Sequence, residues 1–232
     1  MPDPFAEFDL SQHIIYEDNY LLVLNKPAGL STEGSLGLAG FVSAYLEEKY
    51  PWKKQLITGV AHRLDRRVSG LIVFAKTKMA LRSLNAQFAK RSMAKRYLAV
   101  CDNIPEQKEG ELSHWLVKDR EARKARLADD KAPGAKAAHL KYSLLQTANN
   151  YSLLEVELLT GRYHQIRAQL AAAGYPIVGD ELYGGPAEAG NAFGIYLHSH
   201  LLQLEHPKTG KQMEFTQAPA QTGKWNLFKL PR

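Results

Sequence analysis

The chain mixes short apolar strands with a few helices, and this mixture constrains its fold more than any other feature. Apolar runs bounded by turn residues predict strands within 13–30, 71–75, 93–101, 139–159 and 196–219. These strands do not alternate regularly with helices, as the βαβ units of a doubly wound sheet would require. We therefore expect an α+β fold.

Three segments have the spacing of helices. Apolar residues on one side and charged residues on another predict a helix at 38–50. Apolar residues three and four apart predict a second helix at 78–90, with Thr77 as its N-cap. A third helix is expected at 161–174, closed by Gly174.

The length of the chain, 232 residues, suits one large domain or two small ones. No linker rich in Gly, Pro or Ser divides it, so we expect an amino-terminal tail at 1–12 and a single domain at 13–232. Thirty Lys and Arg against 24 Asp and Glu give a formal net charge of +6. A surplus of this size is compatible with a nucleic acid partner.

The sequence also indicates the compartment. Cys101 is the single cysteine, which excludes an intrachain disulfide, and its place at the end of an apolar run predicts a buried thiol. No stretch approaches the roughly 18 apolar residues of a membrane helix. The first ten residues carry acids and prolines where a signal peptide would be basic and then apolar. We expect a soluble cytoplasmic protein.

The segment 118–138 stands out by its charge. It contains seven Lys and Arg, four Asp and Glu, and few large apolar side chains. Such a composition buries little surface, which predicts an exposed basic loop. A solvated face without a specific contact is the alternative interpretation.

Several familiar catalytic sets are missing. The sequence has no G-x-S-x-G elbow, phosphate-binding P-loop or G-x-G-x-x-G motif. His198 and His200 would face the same way in a strand, but no third ligand stands nearby in sequence. No metal site is expected there.

Asp65 is the candidate that remains. It lies among His62, Arg63, Arg66 and Arg67, immediately before the apolar run at 71–75. A cation within a few ångströms favours the ionised carboxylate, which suits a nucleophile better than a general acid. A salt bridge in a surface turn is the competing interpretation.

Several motifs in one order carry a family resemblance. They are HRLDRRVSGLIVFAKT (62–77), the strand pair with KPAG (14–30), KRYLAV (95–100), LLTGRYHQIRAQLAAAGYPIVGDELYG (158–184) and the closing segment at 197–219. Together they resemble the RluA family of pseudouridine synthases over residues 13–219. The resemblance implies an α+β catalytic fold with a mixed, largely antiparallel sheet flanked by helices and loops.

The resemblance also implies an activity: isomerisation of uridine to pseudouridine in RNA, without metal or organic cofactor. Asp65 would be the nucleophile, attacking either C1′ of the ribose or C6 of the uracil. Tyr97 would stack on the uracil and act as the later base, and Arg167 would be the partner of Asp65. Arg63 would enter the space that the flipped nucleotide leaves.

Further implied RNA contacts are His62, Lys95, Arg162 and His164. One position departs from the family pattern, since Val68 stands where a Thr is usual. About 12 residues precede the first motif, so no S4 domain is expected, and RNA contacts would come from the catalytic domain.

The expected partner is a stem-loop of rRNA or tRNA, with neither DNA nor a membrane, and the expected state is a monomer. Two alternatives stay open. One is a non-catalytic RNA-binding protein on the same scaffold, and the other is an N-glycosidase that would need a second carboxylate or an activated water.

Overall fold

The structure is a computed structural model that describes residues 5, 8–188 and 193–231. The strands are β1 (Ile14–Glu17), β2 (Leu21–Lys26), β3 (Gly59–Val60), β4 (Ser69–Ala75), β5 (Ala94–Asp102), β6 (Glu109–Asp119), β7 (Lys124–Ala128), β8 (Lys136–Ala148), β9 (Tyr151–Leu158), β10 (Leu197–Glu205) and β11 (Gln212–Thr216). The helices are α1 (Leu38–Lys49), α2 (Lys78–Lys90) and α3 (Gln165–Ala172). Short 3₁₀ turns occupy Leu10–His13, Glu181–Tyr183 and Gly223–Leu227.

All eleven strands belong to one sheet. Its order is β1-β2-β4-β10-β5-β9-β8-β6-β7, with β3 paired to β4 and β11 paired to β10. Only the β4–β10 pair among these is parallel, and every other pairing is antiparallel. The predicted α+β fold with a mixed, largely antiparallel sheet is confirmed.

The central strands are buried on both faces. Leu22 and Leu24 of β2 pack in the same cluster as α1, whereas Leu21 and Val23 pack in the cluster that contains Leu84 of α2. Because neighbouring side chains of a strand point to opposite faces, each helix covers one side of the sheet. This two-sided burial explains the continuous apolar runs in the sequence.

The observed helices differ from the predicted ones mainly at the amino-terminal end of the third helix. Thr77 caps α2 as predicted, since its hydroxyl accepts a hydrogen bond of 3.1 Å from the amide of Ala80. The third helix begins at Gln165 rather than at 161, because His164 has a left-handed backbone with φ of 50°. The expectation of a helix through 161–164 is therefore wrong.

The two strands of the parallel pair approach unusually closely. Gly70 of β4 is opposite Ser199 of β10 and has φ of 112°. A Cβ at this position would lie 2.3 Å from the carbonyl oxygen of Ser199. Glycine is therefore required where the Asp65 loop enters β4.

The segment 118–138 is exposed, but it is not a loop. It holds the end of β6, all of β7 and the start of β8, which pair as an antiparallel edge of the sheet. Only Ala125 and Ala138 in this range are fully buried, so the strands form with few apolar residues and many charges. A short edge strand needs only one buried face, which is why composition alone did not reveal it.

Other expectations concern single residues and the chain ends. Cys101 is fully buried, as predicted. The predicted tail at 1–12 lies partly outside the described residues. Among the described helices, none has the length and apolar character needed to cross a membrane.

Candidate active site

A cleft of about 1170 Å³ opens beside the loop that carries Asp65. Its walls come from that loop, the end of α2, the start of β5 and the turn before α3. Seven Lys and Arg side chains line it against three acidic ones. The cleft is therefore a basic surface around a single candidate nucleophile.

Asp65 meets Arg167 across this cleft. Oδ2 of Asp65 lies 3.3 Å from Nη1 of Arg167 and 3.6 Å from Nε2 of His164. The Asp65 side chain keeps 28% of its surface exposed. The carboxylate is thus held on one side and open to the cleft on the other.

The arginines next to Asp65 in sequence bind elsewhere. Nη1 of Arg63 pairs with Glu33 at 2.9 Å at the exposed rim of the cleft. Nε of Arg66 donates to the carbonyl of Gly29 at 2.7 Å. Within the described structure, neither these two arginines nor Arg67 contacts the Asp65 carboxylate.

Arg67 joins the Asp65 loop to a distant part of the chain. Its Nη2 donates to the carbonyls of Gly179 and Gly194, at 2.9 and 3.0 Å. Its own carbonyl accepts from the amide of Ile195 at 3.0 Å. The two arginines that had no assigned role, Arg66 and Arg67, fix the backbone of the loop.

Thr32 and Lys26 hold the same loop from below. The Thr32 hydroxyl donates to the carbonyl of Leu64 at 2.9 Å and accepts from its amide at 3.2 Å. Nζ of Lys26 donates to the carbonyls of Pro27 and Leu30 at 2.9 and 2.8 Å, and to the carbonyl of Arg66 in the loop at 3.4 Å. Burial lowers the pKa of Lys26 to about 7, against the opposing effect of Asp65.

Arg167 is itself fixed by a second carboxylate. Its Nε and Nη2 donate to the two oxygens of Asp180 at 2.7 and 2.8 Å, and Asp180 is fully buried. Burial works against the charged guanidinium, but the hydrogen bonds to Asp180 raise the pKa of Arg167 overall. This bidentate pair leaves Nη1 free to face Asp65.

His164 shares the Nη1 group of Arg167. Nη1 donates to Nε2 of His164 at 2.9 Å, so the other ring nitrogen, Nδ1, carries the proton and donates to the Tyr183 hydroxyl at 3.0 Å. Burial lowers the pKa of His164 to about 4, which keeps the ring neutral at pH 7. The ring of Tyr163 stacks on it at 3.8 Å.

Tyr97 lies in the wall of the cleft on β5, with 6% of its surface exposed. Burial and the nearby Asp65 carboxylate raise the pKa of Tyr97, and a hydrogen bond with Ser199 opposes this shift. The phenol is therefore protonated at neutral pH. An apolar ring beside the carboxylate suits contact with a flat base.

Lys95, Arg162 and Lys118 also line the cleft, and among the described residues they have no carboxylate partner. Nζ of Lys95 lies 5.0 Å from the ring centroid of Phe88, and burial lowers its pKa. Arg162 donates from Nε to the carbonyl of Ala137 at 2.9 Å. Nζ of Lys118 lies 4.5 Å from the ring centroid of Tyr163. These groups can meet phosphates at the mouth of the cleft.

His62 is more enclosed than an RNA contact needs to be. Its Nε2 accepts from the amide of Val73 at 3.1 Å, and its ring packs on Phe88 at 4.8 Å. Burial lowers the pKa of His62 to about 3, so it is neutral. The ring anchors the start of the loop to β4 and also lines the cleft.

All eight residues singled out from the sequence line one cleft: Asp65, Tyr97, Arg167, His62, Arg63, Lys95, Arg162 and His164. Sequence reasoning did not assign roles to Lys26, Thr32, Asp180 and Tyr183. Lys26 and Asp180 stand inside motifs that carried the resemblance, and this was the only available signal. Val68 is buried among apolar side chains, so an apolar residue suits the position where a Thr is usual.

His198 and His200 bind protein groups. Both rings contact the carbonyl of Gln217, at 3.0 and 3.2 Å, and Nδ1 of His198 accepts from the Ser69 hydroxyl at 2.8 Å. No cluster of three or more His, Cys, Asp or Glu side chains able to hold a metal occurs in the described part of the chain.

Comparison with known proteins gives a consistent result. Residues 20–172 match the family model described as RNA pseudouridylate synthase. The dual-specificity RNA pseudouridine synthase RluA of Haemophilus influenzae is 36% identical over 204 residues, which are 87% of this chain and 90% of that protein.

A second curated relative is longer. The ribosomal large subunit pseudouridine synthase C of Haemophilus ducreyi is 34% identical over 213 residues, which cover 90% of this chain and 66% of that protein. Among solved structures, human RNA pseudouridylate synthase domain containing 4 has a TM-score of 0.76. The match covers 96% of this chain and 90% of that one at 22% identity, and it supports the fold.

Proposed function

The chain belongs to the RNA pseudouridylate synthase family, in its RluA branch, and we propose that Asp65 is the nucleophile with which it isomerises uridine in RNA. One observation carries the assignment. Asp65 lines the cleft, and one of its oxygens lies 3.3 Å from Nη1 of Arg167. The family reaction breaks the N1–C1′ bond and joins C1′ to C5 of the same uracil.

The Asp65 carboxylate would form a covalent ester during this exchange. Attack at C1′ would release the uracil from the sugar, and attack at C6 would loosen the glycosidic bond through the ring. In either case C5 bonds to C1′, a proton leaves C5, and N1 gains one. No atom is lost or gained overall, so no cofactor or co-reactant is needed.

Arg167 would orient the nucleophile rather than react. Asp180 holds its guanidinium from the buried side by two hydrogen bonds, so Nη1 points to Asp65 before substrate arrives. Such preorganised electrostatic contacts cost no rearrangement during the reaction.

Tyr97 would stack against the uracil and receive the C5 proton only once its pKa has fallen. Asp65 is one of the groups that raise the pKa of Tyr97. In the C6 route, where the Asp65 ester persists until the C5 proton has left, esterification would remove that negative charge and favour the phenolate. In the C1′ route, C5 displaces the Asp65 carboxylate before the proton leaves, so this effect is absent. Burial still opposes ionisation of the Tyr97 phenol. Stacking on the uracil is therefore the better supported part of its role.

The target nucleotide must leave its stack before it can enter this cleft, at a cost of a few kcal/mol. Arg63 is about two-thirds exposed and its bond to Glu33 lies at the rim. A surface ion pair of this kind contributes little and separates easily. Arg63 is therefore free to occupy the vacated position, while Lys95 and Arg162 hold phosphates.

The substrate we propose is a stem-loop of rRNA or tRNA, bound by one copy of the chain in the cytoplasm, without DNA or membrane. Two relatives are described as acting on the large ribosomal subunit or with dual specificity on RNA. The basic cleft supports RNA as the polyanion, and it does not by itself select between the two RNA classes.

The test uses tritium release from unmodified rRNA and tRNA transcripts labelled at C5 of uridine. Wild type should release tritium and leave pseudouridine in the RNA, and Asp65→Asn should release none while still binding the transcripts. Asp129→Asn, at an exposed position on the far side of β7, is the matched control and should behave as wild type. Comparable turnover by Asp65→Asn would overturn the assignment.

The product distinguishes the alternatives. Free uracil in the supernatant would indicate an N-glycosidase. RNA binding by wild type without tritium release from either transcript class would indicate a protein that only binds RNA.

A further inference from the structure

The charges in residues 66–101, 36 of the 232 residues, are unusually one-sided. Residues 66–101 contain nine Lys and Arg and no Asp or Glu, although the whole chain exceeds neutrality by only six. Five of the nine contact other segments of the protein: Arg66, Arg67 and Lys76 by hydrogen bonds, Arg96 by an ion pair with Glu155, and Lys95 over an aromatic ring. Arg82 has a contact within its own helix, where its Nε donates to the carbonyl of Lys78 at 3.4 Å.

The other four belong to α2 and its carboxyl-terminal cap: Lys78, Arg82, Lys90 and Arg91. All four side chains are exposed. Within the described part of the chain, none of them makes an ion pair. They are cations available to a partner outside the protein.

Three of these cations lie on the exposed side of the helix. At about 100° per residue, Lys78 and Arg82 are about 40° apart and opposite the buried residues Ala80, Leu84 and Gln87, whereas Lys90 lies about 80° further round, at the edge of the exposed side. The residues between them on this arc are Ala86, Ala89 and Met79. Met79 is 39% exposed, so one apolar side chain lies between Arg82 and Lys90.

The cations near the start of α2 work against the stability of the helix, whereas Lys90 in its last turn suits the helix dipole. Lys78 lies in the first turn, where the helix dipole favours acids, and the first turn has none. Lys78 and Arg82 are four residues apart, a spacing at which like charges repel by a few tenths of a kcal/mol. A helix that needed only to be solvated would gain by carrying acids at these positions.

The same face is continuous with the cleft. Phe88, Ala89, Arg91 and Ser92, at the end of α2, line its wall. Arg91 has a left-handed backbone with φ of 55°, and its amide caps the carbonyls of Gln87 and Phe88. From Lys78 to Lys90 the face extends about 18 Å, enough for several consecutive phosphates.

We infer that the exposed face of α2, formed by Lys78, Arg82, Lys90 and Arg91, binds the phosphate backbone of the substrate RNA where it leaves the cleft. The inference rests on the proposed function, because the RNA must place its uridine at Asp65 for its flanking strand to reach α2. Contacts of this kind position the RNA and do not read its sequence.

The experiment measures binding of an unmodified fluorescein-labelled tRNA transcript against salt concentration. Arg82→Gln with Lys90→Gln removes two charges at exposed positions. We expect the slope of log K against log salt to become shallower by about 1.4 to 1.8, which corresponds to two lost phosphate contacts. The KM for tritium release from the same transcript should rise.

Two matched variants test the location and the chemistry. Lys108→Gln with Lys229→Gln also removes two exposed charges, but neither residue lines the cleft or belongs to α2, and its slope should equal that of wild type. Arg82→Lys with Lys90→Arg keeps the charges and should keep the slope. Thermal melting confirms that each variant is folded.

Several outcomes would overturn the inference. An unchanged slope for the α2 variant, or an equal loss in the Lys108 and Lys229 variant, would show that this face has no particular role. The proposed function fails separately, if Asp65→Asn still turns over. Inactive Asp65→Asn together with an unaffected α2 variant would leave the function standing and remove only this surface.

Discussion

Arg167 lies between two carboxylates whose surroundings differ in nearly every physical respect. Asp180 is fully buried and accepts two short hydrogen bonds from the guanidinium. Asp65 is 28% exposed and has one contact of 3.3 Å with the same group. The buried acid fixes the arginine, and the open acid keeps the freedom to form a bond with substrate.

The two sides of Arg167 also differ in how their backbone is held. Asp180 follows a turn next to α3, so it stays within 13 residues of its partner. The loop of Asp65 is placed by Thr32, Arg66 and Arg67, whose contacts join segments 32 to 127 residues apart. Buried charge pairing positions one acid, and many backbone hydrogen bonds position the other.

The largest expected effect comes from the buried side. Asp180→Asn removes the buried charge partner of Arg167 and leaves it only the longer contact with the partly exposed Asp65. Breaking a buried pair costs about 3–5 kcal/mol of the free energy of unfolding. Urea denaturation measures it. Asp65→Asn, on the open side, should change the free energy of unfolding by less than about 1 kcal/mol.

The comparison has its own control. Asp129→Asn removes an exposed carboxylate and should leave the urea midpoint at the wild-type value. If Asp65→Asn and Asp180→Asn destabilised the fold equally, the division into a positioning acid and a reacting acid would be wrong.

A smaller loss in the free energy of unfolding is expected at Thr32, which holds the Asp65 loop. Thr32→Val keeps the shape of the side chain but removes both hydrogen bonds to Leu64, which leaves a buried amide and carbonyl unpaired at a cost of about 1–3 kcal/mol. Because the loop shifts, kcat for tritium release should fall more than KM rises. Thr216→Val, on the exposed edge strand β11, should change neither quantity.

The smallest effect at neutral pH is expected from His164. Its folded pKa is about 4 and its usual value is 6.5, so between these values the unfolded chain binds a proton that the folded chain does not. The free energy of unfolding should therefore fall as pH falls from 6.5 to 4. His164→Gln should lower this slope by up to one proton, about 1.4 kcal/mol per pH unit.

Two other histidines complicate this titration and serve as its reference. Burial lowers the pKa of His62 and of His198 to about 3. Because both histidines remain in the His164→Gln variant, part of the decrease in its free energy of unfolding at acid pH should remain. An identical pH profile for wild type and variant would mean that burial does not lower the pKa of His164.

The elements with local signals were predicted well from the sequence. The strands around β4 and the helix capped by Thr77 follow from apolar spacing and a single side chain, which act within a few residues. The family motifs located Asp65, Tyr97 and Arg167 in one cleft. Such features are encoded where they occur.

The errors concern contacts between distant segments. Arg66 and Arg67 stand beside Asp65 in the sequence, but they bind the carbonyls of Gly29, Gly179 and Gly194, which only the folded chain brings near. The composition of the charged hairpin of β6 and β7 predicts a loop. Its strands form through pairing in the folded chain, which composition does not indicate. α3 also begins later than predicted, because His164 has a left-handed backbone that no residue pattern in the sequence indicates.

The close pairing of β4 with β10 also has a kinetic consequence. Ser69 and Gly70 pair with His198 and Ser199, nearly 130 residues further along the chain, so this contact closes a very long loop and forms late in folding. The backbone of the Asp65 loop leads directly into it. During synthesis the basic face of α2 therefore emerges well before the position of the Asp65 carboxylate is fixed. A nascent chain should acquire RNA affinity before it acquires turnover.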